Sequence, residues 1–99
     1  MIIKEGVTLA GIDFKMRKVL IAADKIWKDN HQELVITEAR GGTHSAGSLH
    51  YYGLALDMRT RYFDDMTKTN VAMLLREELG PDYDVIMHSS HCHVEYDAK

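Results

Sequence analysis

The centre of the chain reads Gly53-Leu54-Ala55-Leu56-Asp57-Met58, an alternation of side chains that is typical of a β-strand. Neighbouring side chains of a strand point to opposite faces of the sheet. The large apolar residues of this stretch are therefore predicted on one side, and Ala55 and Asp57 on the other. Such a strand predicts a sheet with one face in the hydrophobic core.

Two amphipathic helices are predicted, one on each side of this strand in the sequence. Apolar residues recur every three or four positions from Met16 to Trp27, which is the period of one helix face. A second stripe runs through a segment from about Asp65 to Leu79, and Gly80-Pro81 after it is a strong stop signal. Both stripes indicate packing against the core.

The remaining apolar segments predict further strands. Leu34-Val35-Ile36-Thr37 is β-branched and apolar, and residues 83–96 are predicted to form two strands or one bent strand. The resulting order is helix, strand, loop, strand, helix, strands. It predicts one small α+β domain over residues 1–99, in which two helices pack on one face of a mostly antiparallel sheet.

Composition excludes several classes of protein. The 99 residues are 45% hydrophobic and 27% charged, which is ordinary for a globular domain and not for a disordered tail. The net charge of −3 argues against nucleic-acid binding. No apolar run approaches the roughly 20 residues of a membrane span, and the amino terminus lacks a signal-peptide pattern. We therefore expect no membrane partner and synthesis in the cytoplasm.

The six histidines are the unusual feature, because three of them fall within His88–His93. On a strand, His91 and His93 share one face, and an adjacent strand could bring Asp57 next to them, with His50 at the end of the loop before it. Two imidazoles and a carboxylate that leave one position for water form a catalytic zinc arrangement. Cys92 alternates away from the histidine pair and is predicted to be a small buried residue. Alternatively, the histidines are incidental on a plain α+β scaffold.

Two motifs extend this hypothesis. The pattern Ser48-x-His50-x-x-Gly53-x-Ala55-x-Asp57, followed by His91-x-His93, resembles the M15-type zinc peptidases. These include D-alanyl-D-alanine carboxypeptidases and L-alanyl-D-glutamate endopeptidases, among them phage endolysins, and the hedgehog domain shares their zinc fold. The resemblance covers the chain from about Phe14 to Asp97.

The resemblance implies a role for each matching position. His50, Asp57 and His93 correspond to the zinc ligands, and the zinc site would lie on the sheet. His91 would lie beside the metal, where it contacts the substrate or steadies the developing oxyanion. Arg40 is similar in position to an arginine that binds substrate in the family, although the sequence around it differs from the family pattern.

One departure from the family concerns the general base. The peptidases carry Glu or Asp a few residues before the last zinc ligand, whereas this chain has His88, Ser89 and Ser90 there. Three explanations remain open. His88 serves as the base, since imidazole titrates near neutral pH; Glu95 or Glu38 supplies the carboxylate; or the protein binds zinc without efficient catalysis. The simpler interpretation of Glu95 is a solvated edge residue.

The resemblance thus implies a zinc-dependent peptidase that acts on the stem peptides of bacterial peptidoglycan and, if phage-encoded, reaches the cell wall. The alternative is a catalytically impaired zinc-binding module that recognises cell-wall peptide or a protein partner. The sequence leaves the bond that is cut and the oligomeric state open.

Overall fold

The computed structural model describes residues 1–39 and 53–98. It confirms the predicted fold class, a small α+β domain with two helices and a five-stranded sheet. In chain order the elements are β1 (Ile2–Ile3), α1 (Lys15–Asp29), β2 (Val35–Glu38), β3 (Ala55–Arg59), α2 (Asp65–Leu79), β4 (Tyr83–Met87) and β5 (His91–Tyr96). No helix in these two ranges is long and apolar enough to cross a membrane.

The sheet has the strand order β1-β2-β3-β5-β4. Three of its four pairings are antiparallel, as the sequence predicts. The exception is β1, which pairs in parallel with β2 through Ile2 opposite Val35 and Ile3 opposite Ile36. This strand was not predicted, because two residues are too few to show a period. The sheet is therefore mixed.

The hydrophobic core lies between one face of the sheet and both helices. On β3 and β5 the core residues are Leu56, Met58, Cys92 and Val94, none of which is exposed. Trp27 of α1 is almost fully buried and packs against the Phe63 ring, with ring centroids 5.6 Å apart. Its indole Nε1 donates a hydrogen bond of 2.9 Å to the carbonyl oxygen of Arg59. Helix α1 is thereby attached to the carboxyl end of β3.

The ends of α2 follow from local chemistry. The Asp64 carboxylate accepts a 2.7 Å hydrogen bond from the backbone N–H of Thr67, which satisfies one of the donors that a helix start leaves free. Hydrogen bonding with the side chain of Thr67, and then with its backbone N–H, lowers the pKa of Asp64 below its usual value. At the other end Gly80 has a φ of 84°, a conformation that favours glycine. The helix spans the predicted residues.

Two further contacts shape the sheet near its ends. Gly53 precedes β3 with a φ of 75°, and a Cβ atom there would lie 2.7 Å from the carbonyl oxygen of Gly11. Only glycine fits this close approach, which explains its place in the sequence motif. On the outer strand β4, the carbonyl oxygen of Val85 accepts a 2.8 Å hydrogen bond from Nη2 of Arg76 on α2.

Candidate metal centre

The face of the sheet opposite the helices, which we call the polar face, brings two predicted zinc ligands into contact. Asp57 on β3 is the register partner of His93 on β5. Register partners of an antiparallel pair share a face, and the Oδ1 atom of Asp57 lies 2.7 Å from Nδ1 of His93. Both side chains are largely buried, with 15% and 19% of their surface exposed. Residues 36 positions apart in sequence thus form one polar pair.

Glu95 contacts the second nitrogen of the same imidazole. Its Oε1 atom lies 2.9 Å from Nε2 of His93, and 22% of its side chain is exposed. Glu95 is therefore not the solvated edge residue of the simpler interpretation. It was one of the carboxylates considered as a base, and its position two residues after His93 on the same strand was the signal.

The two carboxylates change the acidity of His93. The hydrogen bond with Asp57 is the main cause that raises the pKa of His93 above its usual value, and the bond with Glu95 adds to it. Partial burial opposes this effect because it disfavours the charged imidazolium. When protonated, the ring donates one N–H to each carboxylate. A metal ion at this position competes with a proton for the His93 ring.

A group of three acidic residues next to this pair could also hold a metal ion. Ligand oxygens of Asp84, Glu95 and Asp97 all lie within 4.8 Å of one another. Asp84 is the register partner of Glu95 across β4 and β5, so the polar face continues from His93 to these carboxylates. Sequence reasoning missed Asp84 and Asp97, because their contact depends on the register of the β4–β5 hairpin.

The other two histidines of the segment lie together at the turn between β4 and β5. The rings of His88 and His91 stack with centroids 4.5 Å apart, and Ser90 Oγ lies 3.3 Å from Nδ1 of His91. His88 is exposed. Within residues 53–98, no hydrogen bond joins either ring to Asp57 or His93.

Cys92 lies on the opposite face of β5, as its alternation with the two histidines predicts. Its side chain is completely buried in the core, and this burial raises the pKa of the thiol to about 12. The thiol is therefore no ligand for a metal on the polar face.

The donor set of the polar pair fits zinc. Zinc in proteins takes imidazole nitrogen and carboxylate oxygen, and a catalytic site needs three such protein ligands. Asp57 and His93 supply one donor of each kind from two paired strands, which hold their backbones in fixed register. The three carboxylates of Asp84, Glu95 and Asp97 are a harder donor set, which is typical of calcium or magnesium sites.

Arg40 and His50 lie outside the described residues, so the structure gives no position for the third predicted ligand or for the predicted substrate-binding arginine. No protein-family model matches this chain, and no curated protein matches it. The relationship to the zinc peptidases therefore stays a prediction from the two motifs.

Proposed function

We propose that the protein is a zinc-dependent peptidase that hydrolyses peptide bonds in the stem peptides of bacterial peptidoglycan. The observation that carries the proposal is the contact of 2.7 Å between Asp57 and His93. Two residues that the motifs single out independently meet on adjacent strands, partly buried and on one face. His50 is the third ligand in this proposal.

In this proposal the residues of the polar face have different roles in hydrolysis. Bound zinc would lower the pKa of its water towards about 7 and polarise the substrate carbonyl. Asp57 and His93 would hold the ion, and His91 would face the substrate from the same side of β5. Hydrolysis also needs a group that takes a proton from water and passes it to the leaving amine.

Glu95 and His88 are the two candidates for this general base. Glu95 contacts the His93 ring at Nε2, at 2.9 Å, on the side opposite Asp57, where a carboxylate would orient a ligating imidazole. His88 is exposed and stacks on His91 instead. Glu95 therefore lies on the wrong side of the imidazole to reach a water on an ion held by Asp57 and His93, whereas His88 occupies the segment where the family carries its acid.

The substrate class rests on the resemblance, which implies a D-Ala-D-Ala or an L-Ala-D-Glu bond. Arg40 would hold a carboxylate of the substrate. The second candidate function is a zinc-binding module without catalysis, and the segment between β4 and β5 favours it. Residues 88–90 contain no carboxylate, and His88 is not bonded to His93.

Zinc binding is tested first, with the purified protein and with Asp57→Asn, His93→Gln and Asp84→Asn. We expect about one zinc ion per parent chain and a loss of affinity of at least about a hundredfold in the first two variants, since each removes a ligand. Asp84→Asn is the matched control, because it removes a carboxylate from the acidic group only. Undiminished zinc in Asp57→Asn and His93→Gln would refute the proposed site.

Peptide cleavage then separates the two functions. The zinc-loaded parent is incubated with stem peptides that contain either bond, and the products are identified by mass spectrometry. Cleavage that His88→Gln abolishes and Glu95→Gln retains identifies His88 as the base, and loss of both cleavage and zinc affinity in Glu95→Gln identifies Glu95 as a residue that orients His93. If the parent binds zinc and cleaves neither peptide, while His88→Glu gains activity, the protein is a binding module.

A further inference from the structure

A second polar feature lies beside the metal centre, at the end where β3 leaves the sheet. It is a cavity of about 340 Å³ that includes Asp57 in its lining. Its other charged or titratable residues are Lys4, Glu38, Arg59, Arg61 and His91. We call it the cationic cavity, because its lining carries three fixed positive charges and two negative ones in a chain whose net charge is −3.

Arg59 lines this cavity together with Asp57. It follows Asp57 by two residues on β3, so both side chains lie on the polar face. Its register partner on β5 is His91, just as Asp57 is the partner of His93. Residues two positions apart on a strand lie about 7 Å from each other. Side chains on the same face of an extended peptide have the same spacing.

Hydrogen bonds fix the backbone of Arg59, whereas its guanidinium has no hydrogen-bond or ion-pair partner within residues 1–39 and 53–98. Its carbonyl oxygen accepts the bond from Trp27, and the next residue, Thr60, donates its N–H to the carbonyl oxygen of Ser90 at 3.0 Å. The negative charge of Asp57 is already engaged by His93.

We propose that Arg59, with Lys4 and Arg61, forms a carboxylate-binding subsite beside the metal centre. It selects peptides with an acidic group within about two residues of the bond that is cut, because an extended chain advances about 3.3 Å per residue. The guanidinium of Arg59 presents paired N–H donors that match a carboxylate. The identity of the reaction rests on the proposed function, whereas the preference for a carboxylate rests on the cavity.

Direct binding of two matched probes tests the subsite. The probes are the N-acetylated, C-amidated dipeptides Ala-Glu and Ala-Gln, which differ only in one carboxylate. We expect the parent to bind Ala-Glu about tenfold more tightly than Ala-Gln, since hydrogen bonds between charged groups are stronger than those that involve a neutral amide. The preference should weaken as salt is added, because the cavity is open to solvent.

Substitutions in the cavity test whether Arg59 causes the preference for Ala-Glu over Ala-Gln. Arg59→Gln should remove it, and Arg59→Lys should keep part of it, because charge survives but the paired donors are lost. Arg17→Gln is the matched control, an exposed arginine on α1 at the other side of the sheet. Circular dichroism verifies folding, and Arg61→Gln serves as the second test if Arg59→Gln does not fold. Equal binding of both probes by the parent, no binding of either, or an unchanged preference in Arg59→Gln overturns the proposal.

The experiments distinguish an error in the subsite proposal from an error in the proposed peptidase function. The titrations are run with zinc and again after chelation. A carboxylate preference that depends on Arg59, in a protein that neither binds zinc nor cleaves peptides, supports the subsite and refutes the peptidase. Cleavage of stem peptides without any preference between the two probes supports the peptidase and refutes the subsite.

Discussion

The two faces of β3 and β5 carry different kinds of side chain at Asp57–Met58 and Cys92–His93, although these residues are neighbours on the same backbone. On one face Met58 and Cys92 are fully buried against the helices. On the other, Asp57 and His93 form a hydrogen-bonded pair that remains partly exposed to solvent. The apolar core residues thus lie on one side of the strands and the ionisable pair on the other, and a shift of the register by one residue would exchange them.

The pKa values of Cys92 and His93 are both raised, for opposite reasons. Burial disfavours the thiolate of Cys92 on the core face. On the polar face, the carboxylates of Asp57 and Glu95 favour the charged imidazolium of His93. A raised pKa therefore marks an environment that excludes charge on one face and an environment that attracts a cation on the other.

The largest difference that we expect between the two faces is in chemical reactivity, and it concerns Cys92 on the core face. With the pKa of the thiol at about 12, its thiolate fraction in mildly alkaline buffer is roughly a thousandfold smaller than at the ordinary value. A disulfide reagent should react with the native protein at least that much more slowly than with the protein in denaturant. The released chromophore gives the rates, and Cys92→Ser provides the blank. Comparable rates in both conditions would place the thiol at the surface.

The next effect concerns stability and contrasts one side chain from each face. Met58→Ala should lower the free energy of unfolding by about 2–5 kcal/mol, because it leaves a cavity in the core. Ile86→Ala, on β4 at the polar face, should cost about 1 kcal/mol or less, since that side chain is 45% exposed. Urea unfolding of both variants measures the difference. Equal costs would show that the polar face also contributes a core.

The smallest effect is a pH dependence of the metal-free protein. The folded pKa of His93 lies above the unfolded value of about 6.5. Its contribution to stability is therefore complete below that value and is lost as the pH rises through the folded pKa. We expect the melting temperature in chelator to fall more steeply over this range for the parent than for Asp57→Asn, which removes the main cause of the shift.

Zinc should reverse this trend. If zinc binds at Asp57 and His93 as proposed, it competes with protons for His93, and its stabilising effect grows as the pH rises. Thermal melting with and without zinc across the same pH series shows the reversal. Identical pH profiles for the parent and Asp57→Asn in chelator would mean that the pair does not control His93.

The sequence alone was sufficient to predict the elements in which apolar side chains recur with the period of a helix or a strand. The stripe of α2, the alternation of β3 and the core position of Cys92 all follow from local patterns, and the structure has them. The pair Asp57 and His93 could be predicted because two motifs marked the same site. The strand β1 could not, since Ile2 and Ile3 become a strand only by pairing with β2.

Side-chain contacts between strands were harder to predict than the strands. The bond between Glu95 and His93 and the proximity of Asp84 to Glu95 depend on register and rotamer, which composition does not encode. The position of Arg59 opposite His91 likewise needs the β3–β5 register. The predicted roles of Arg40 and His50 remain predictions, because both lie outside the described residues.

The bond between Arg76 and Val85 has a consequence for aggregation. The last strand of an open sheet presents backbone groups to which a further chain can add, and such addition is how sheets grow into fibres. On β4 the guanidinium of Arg76 already occupies one of these acceptors. An incoming strand would have to displace a charged donor at that point, and displacing it costs more than displacing water. Arg76 thus makes β4 a poorer template for the addition of another strand at Val85.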